Sequence, residues 1–271
     1  MPSAFPSISS RQDPIVRQCR QLAGDPSSDG GILLDGAHLI REALHAGVTI
    51  DVVLVTSNYF EHTTVSDAAI PADAAHAGAR VFAVTTSVMN AASPVRTPSG
   101  IVAIARWTSP PIAATFAPAP ALAVGLVAVQ DPGNTGAAVR SADALGATGV
   151  IALEGTAHPA GWKALRGAMG STFRLPVCRA DWAAVRTEAR RAGARILATI
   201  AGRAERLSDT DLVGPTLLLV GNEGAGLPPE MVAEADARVM IPMRPGVNSL
   251  NVSVTVALIL FEARRQRGIA P

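Results

Sequence analysis

Between residues 122 and 267, short apolar runs alternate with helix-forming segments, and this alternation limits the possible folds more than any other feature of the chain. Strands are expected at 124–130, 149–153, 195–200, 216–220 and 238–241, and helices at 136–146, 161–168, 181–192, 228–234 and 250–267. Runs such as Leu217-Leu218-Leu219-Val220 show no polar alternation. Both faces of such a strand must be covered, which is the pattern of a parallel sheet between two helix layers. Upstream, GILLDGAHLIREALHAGVTIDVVLVTS (31–57) reads strand, helix, strand, with Gly47 stopping the helix. ARVFAVTT and GIVAIARW add two strands, and DPIVRQCRQLAG adds a short helix closed by Gly24. TSPPIAATFAPAPA (108–121) is rich in Pro and Ala without helical periodicity and is expected to be a semi-rigid linker. The chain is therefore expected to be α/β, with a flexible leader at 1–10, a smaller domain at 11–107 and a larger one at 122–271.

Composition excludes several classes. Hydrophobic residues make up 48% and charged residues 17% of the chain, which suits a globular protein and not a disordered one. The formal charge of +1 gives no global nucleic-acid footprint, although it is unevenly divided. Residues 1–117 carry 7 Arg against 9 acids, and 118–271 carry 16 basic residues against 13 acids. Lys163 is the one lysine. Arginine suits bidentate phosphate contacts, but a general compositional bias explains its abundance equally well. Cys19 and Cys178 fit no disulfide or metal pattern, and His38, His45, His62, His76 and His158 lack ligand spacing, so no metal is expected. There is no secretory start and no apolar run of the ~20 residues needed to span a bilayer. A cytoplasmic protein with no membrane partner is expected.

Three loops could carry chemistry. In AVQDPGNTGAAVRSADALGATGV (128–150) a strand ends, DPGNTG turns, and a helix begins near Gly136 with Asn134 or Thr135 as its cap and Arg140 one turn in. Its G-x-x-G spacing is not the dinucleotide fingerprint. TLLLVGNEGAGLPPE (216–230) has glycines that permit close backbone approach, but it lacks the lysine and hydroxyl of a phosphate loop. Glu223 would repel a phosphate and suits hydroxyls or positive charge. In RVMIPMRPGVNSLNVSVTVALILFEARRQR (238–267), Ser249 is placed to cap a helix. That helix is apolar from Val252 to Phe261 apart from Ser253 and Thr255, so burial on most sides is expected. Its arginines 264, 265 and 267 suit the helix C-terminus.

In this order, NTGAAVRSADALGA (134–147), KALRGAMGSTFRLPV (163–177), LLLVGNEGAGL (217–227) and IPMRPGVNSLNVSVTVALILFE (241–262) resemble the SpoU/TrmH branch of the SPOUT RNA methyltransferases. DPIVRQCRQL, LLDGAHLIREALHAG and RTPSGIVAIA more weakly resemble the L30e-like domain common at the N-terminus of this branch. The resemblance implies a C-terminal SPOUT domain with a parallel sheet and a deep trefoil knot, an exception to the rule of unknotted chains. It implies S-adenosylmethionine (AdoMet) as methyl donor, bound at Gly221, Ile241 and Leu250, and a homodimer whose sites are completed by the second chain. AdoMet is a sulfonium without phosphate, which accommodates a carboxylate at Glu223.

The implied reaction is methylation of a ribose 2′-hydroxyl in structured RNA, with ribosomal RNA favoured over transfer RNA and no DNA partner. Arg140 takes the place of the essential arginine, with Asn134, Glu223, Ser249 and Asn251 around it. A guanidinium stays protonated, so Arg140 is better read as a fixed cation for the forming alkoxide than as a base. Ser249 would relay the proton. Competing readings are a tRNA 2′-O-methyltransferase, a non-catalytic RNA-binding factor of the same fold, and a nucleotide-dependent oxidoreductase, which the missing glycine fingerprint disfavours.

Overall fold

The computed structural model describes residues 5–61, 63–222 and 224–268. In chain order the elements begin with β1 (Ser7–Ile8), α1 (Pro14–Leu22), β2 (Gly31–Asp35), α2 (Ala37–His45), β3 (Thr49–Thr56), α3 (Val65–Ala68), α4 (Ile70–His76), β4 (Arg80–Val84), α5 (Thr86–Ala92) and β5 (Ile101–Arg106). They continue with β6 (Leu122–Leu126), α6 (Pro132–Ala144), β7 (Gly149–Ala152), α7 (Trp162–Ala168), α8 (Ser171–Arg174), β8 (Val177–Arg179), α9 (Trp182–Arg191) and β9 (Arg195–Thr199). The last are β10 (Glu205–Arg206), β11 (Thr216–Val220), α10 (Pro229–Glu234), β12 (Ala237–Met240) and α11 (Val252–Gln266).

The chain divides into two compact units. The first comprises residues 1–108 together with 160–173, and its described part is built on a sheet ordered β1-β4-β3-β5-β2. β1, β4 and β3 run parallel, while β5 is antiparallel to β3 and β2. One face carries the core of Ile32, Leu34, Ile40, Val53 and Ile101, onto which Leu165 of α7 packs; the other carries Val16, Cys19, Leu54, Met89 and Ile104. The leader is not wholly free, because Ser7 and Ile8 pair with Ala83 and Val84, and Ile8 is buried. Residues 1–4 lie outside the described part.

The second unit, residues 109–159 and 174–271, holds a parallel sheet ordered β10-β12-β9-β11-β6-β7-β8. Ala123, Ile151, Ile196, Ala198, Leu217 and Leu219 meet α9 and α10 on one face. Alternate residues Val124, Leu126, Leu218 and Val220 are buried towards the opposite face, where α6 and α11 pack on each other. The presumed linker is built into this unit. Ile112–Thr115 forms a 3₁₀ turn, Phe116 joins the core, and Thr115 is fully buried. Gly149 leaves the space: a Cβ there would stand 2.7 Å from the Cα of Thr115. Among the described residues no helix is long and apolar enough to cross a membrane. Both cysteines are buried and free, and desolvation pushes their thiols up, Cys19 to about 12 and Cys178 to about 11.

Candidate functional site

The chain passes from β6 through β7 to β8 on one side of the sheet, then resumes at β9 on the other, so the strand order reverses between β6 and β11. Open α/β sheets bind ligands beyond the carboxyl ends of the strands at such a reversal. A cleft of about 380 Å³ opens there, within the roughly 300–1,000 Å³ typical of small-molecule sites. Three segments line it: 199–201 at the end of β9, 220–222 with 224–227 at the end of β11, and residues of the 241–250 loop, floored by Val252, Thr255 and Ile259 of α11. Gly221, Ile241, Ser249 and Leu250, singled out from the sequence, all face this cleft. Among its described lining residues there is no charged side chain.

The loop after β11 is a tight curl. Asn222 and Gly226 form an isolated bridge, with the Gly226 amide donating to the Asn222 carbonyl at 2.9 Å. Gly221 lies so close beneath the curl that a Cβ would stand 2.6 Å from the Leu227 nitrogen. The side chain of Asn222 accepts from the amides of Gly224 (2.8 Å) and Ala225 (3.1 Å), and its Nδ2 donates to the Ala128 carbonyl at 3.0 Å. Glu223 lies outside the described residues.

Ala128, in the turn after β6, has φ 54°. A left-handed backbone costs a residue with a Cβ roughly 1–2 kcal/mol, so the surroundings must impose it. They do so from three sides. The Val127 amide donates to the Val220 carbonyl at 2.9 Å, the Ala128 amide to the Glu154 carbonyl at 3.2 Å, and the Val129 amide to the Thr156 hydroxyl at 3.3 Å.

Both helix starts differ from the sequence expectation. Asp131, not Asn134 or Thr135, caps α6, accepting the Asn134 amide at 2.7 Å. Pro132 explains the earlier start, since its fixed φ and missing donor suit a first helical position. Asn251, not Ser249, caps α11, accepting the Ser253 amide at 2.9 Å. The two helix starts meet: Nδ2 of Asn251 donates to Oδ1 of Asn134 at 2.9 Å. Their positive dipole ends thus converge on one region. Arg140 is exposed on the same α6, two turns beyond Asp131 instead of one turn into the helix. Neither it nor the asparagine pair lines the cleft, so the candidate residues separate into a cleft group and an α6–α11 group.

Two expectations about α11 are corrected. The helix is not buried on most sides, for Val254, Leu258 and Phe261 are 45%, 41% and 61% exposed. The tail arginines do not act alike either. Arg265 pairs with Glu262, whereas Arg267 reaches past the helix to four carbonyls, those of Leu212, Pro120, Ala121 and Gly214, at 2.7–3.1 Å. Sequence reading passed over Asn222 and Ala128. The left-handed alanine has no sequence signature, and the asparagine's role depends on a carbonyl far away in the chain. Among the described residues no cluster of His, Cys, Asp or Glu could hold a metal ion.

Comparison with known proteins gives two family matches, the SpoU rRNA methylase family over residues 121–261 and the MRM3-like substrate binding domain over 13–103. The chain is 32% identical to an uncharacterised tRNA/rRNA methyltransferase of Synechocystis over 275 aligned positions, covering 99% of this chain and 97% of that protein. It is 30% identical to the 23S rRNA (guanosine(2553)-2′-O)-methyltransferase RlmP of Bacillus subtilis, with 86% and 88% covered. The crystal structure of an AdoMet-bound rRNA methyltransferase from Sinorhizobium meliloti superposes with a TM-score of 0.86 at 29% identity, covering 98% of this chain and 99% of that one.

Proposed function

The chain belongs to the SpoU rRNA methylase family, and from that premise we propose that it methylates a ribose 2′-hydroxyl of 23S-type ribosomal RNA with AdoMet as donor. The observation that carries the proposal is the cleft at the β6/β11 reversal. It is formed by glycine-rich main chain, amides, hydroxyls and apolar side chains, with no basic side chain among its described lining residues. A phosphate ligand would call for cations at this point. A ligand with a ribose, an adenine and a sulfonium does not, so these residues fit AdoMet. Gly221, Ile241 and Leu250 would hold it. Bound there, it supplies an electrophilic methyl group.

The chain's own residues do the rest. Arg140, a cation on α6, would stabilise negative charge developing on the ribose oxygen and grip a neighbouring phosphate. Ser249, exposed at the cleft, would accept the ribose hydroxyl proton while releasing its own to solvent water. Asn134 and Asn251 hold the two helix starts together.

The same reading includes a homodimer. Val254, Leu258 and Phe261 recur at i, i+4 and i+7, forming an apolar stripe along α11 that a second copy would cover. It also includes the trefoil knot, with 241–254 as the threaded segment, and the domain boundaries 11–107 and 122–271. The N-terminal unit would receive structured RNA by shape and backbone. A cytoplasmic location follows from such a substrate.

The test is transfer of a labelled methyl group from AdoMet to unmodified 23S rRNA and, separately, to tRNA, with Arg140→Ala as control. Alkali-resistant label in rRNA that vanishes with the variant is the expected result. Label in tRNA alone would reassign the substrate. Absence of transfer and of AdoMet binding would point to a non-catalytic RNA-binding role.

A further inference from the structure

We infer that Asn222 is a positioning residue that couples the cofactor loop to the turn leading into α6, and thereby to Arg140. The inference rests on the AdoMet-dependent reading above. One carboxamide makes three bonds to main chain, two within its own loop and one across the β6/β11 crevice. Its oxygen gathers the Gly224 and Ala225 amides, at 2.8 and 3.1 Å, and its nitrogen donates to the Ala128 carbonyl at 3.0 Å. The orientation is fixed by these partners: two amides require an acceptor and one carbonyl requires a donor, so flipping the carboxamide would break all three bonds. Each side of the residue has a different consequence.

On the acceptor side, the two amides belong to the curl that lines the cleft, where Gly224, Ala225 and Gly226 all face the ligand space. Holding them inward presents a preformed main-chain surface and removes the ordering cost on binding. On the donor side, Ala128 is the left-handed residue of the turn. Three residues on, Asp131 caps α6, the helix that carries Asn134 and Arg140. The other ties on this turn come from the ends of β6, β7 and β11 through backbone and Thr156. Asn222 adds the side-chain tie from the curl itself. An occupied cofactor loop and a correctly set α6 therefore share one side chain. A group misplaced by about 1 Å in such a site can lose about a hundredfold in rate.

The two functions can be separated with Asn222→Asp and Asn222→Ala. Aspartate keeps the acceptor for Gly224 and Ala225 but turns an oxygen towards the Ala128 carbonyl; alanine removes both sides. Three measurements are compared with wild type: AdoMet affinity by calorimetry, amide exchange over 127–131 and 221–227 in the ligand-free protein, and kcat against KM for AdoMet with 23S rRNA. For Asn222→Asp we expect a Kd within about threefold of wild type, faster exchange confined to 127–131, and kcat reduced by about tenfold or more. For Asn222→Ala we expect the Kd to weaken by about tenfold as well, with faster exchange in both segments. Wild-type kcat and exchange in Asn222→Asp, or wild-type Kd in Asn222→Ala, would overturn the inference. If Asn222→Ala fails to fold, the nearly isosteric aspartate variant decides alone. Failure of wild type to bind AdoMet or to transfer methyl would instead overturn the functional reading, and the coupling with it.

Discussion

The two ends of the seven-stranded sheet treat the same problem, the backbone groups left over where strands stop, in opposite ways. At the amino ends of β6 and β11, the Arg267 guanidinium donates to the carbonyls of Pro120, Ala121, Leu212 and Gly214. Beside it, Gln266 donates to Thr210 and accepts from the Leu212 amide. At the carboxyl ends the work is done by small neutral groups: a left-handed alanine, a curl of glycines and one asparagine amide. Helix α11 joins the two, with Asn251 capping it at the site and Arg267 ending it at the latch. A charge that satisfies four carbonyls fixes the structure and leaves nothing for a ligand. Main-chain amides held by glycine and asparagine leave an open neutral surface. On the proposed function, the braced end would serve stability and the open end ligand binding.

This contrast can be broken from either side. The largest effect is expected at the site end, where Arg140→Lys should lower methyl transfer by about a hundredfold or more, because a point charge cannot reproduce a planar fork. The melting temperature should stay near that of wild type, since Arg140 is exposed. A variant retaining most activity would show that positive charge alone suffices. At the latch end, Arg267→Ala should cost about 2–3 kcal/mol of stability in denaturant unfolding, because several carbonyls lose charge-assisted donors at once. AdoMet affinity of the folded fraction should change less than twofold. A large loss of affinity with little loss of stability would erase the division between the ends.

The central strands were legible because burial on both faces leaves unbroken apolar runs; β11 falls at 216–220, where it was expected. The cleft residues Gly221, Ile241 and Leu250 were legible as members of motifs, not from any property of the single residue. What escaped was set by distant partners. Thr115 is buried because Gly149 lacks a side chain, so a segment read as linker became part of the core. Residues 160–173 belong with the first unit through the packing of Leu165 and Phe173, which their sequence does not announce. β1, β8 and β10, at two or three residues each, are too short for periodicity to register. Arg267 looked like an ordinary helix-end charge, because its four acceptors come from two loops elsewhere in the chain.

A smaller effect should sharpen the picture at the site end. In Gly221→Ala the new methyl would press on the Leu227 nitrogen, which is backbone and cannot swing aside. The curl must open to admit it, so AdoMet affinity should fall by about tenfold, roughly 1.4 kcal/mol, with a global stability loss of about 1 kcal/mol. Calorimetry against a melting curve separates the two. Equal losses in both would mean that the curl is part of the core and not a preformed surface.

The smallest effect belongs to the latch and is one of pH. Hydrogen bonds from Arg265, then from Gln266, hold the Glu262 carboxyl down to about 2, from an ordinary value of 4.5. Because the folded value is the lower one, this contribution is present above about 4.5 and is lost as pH falls from there towards about 2. Arg265 is 63% exposed, so solvent and salt screen the pair and the stability at stake is about 0.5 kcal/mol. The location is more telling than the size. Glu262 also accepts from Gln266 at 2.9 Å, and Gln266 is the residue that holds Thr210 and Leu212 beside Arg267. Acidification should therefore quicken amide exchange at 210–214 before it does so at 221–227, and Glu262→Gln should remove that pH dependence while leaving the site end as it was. Simultaneous loosening of both segments would mean that α11 transmits the loss along its length, and that the sheet's two ends are one cooperative structure.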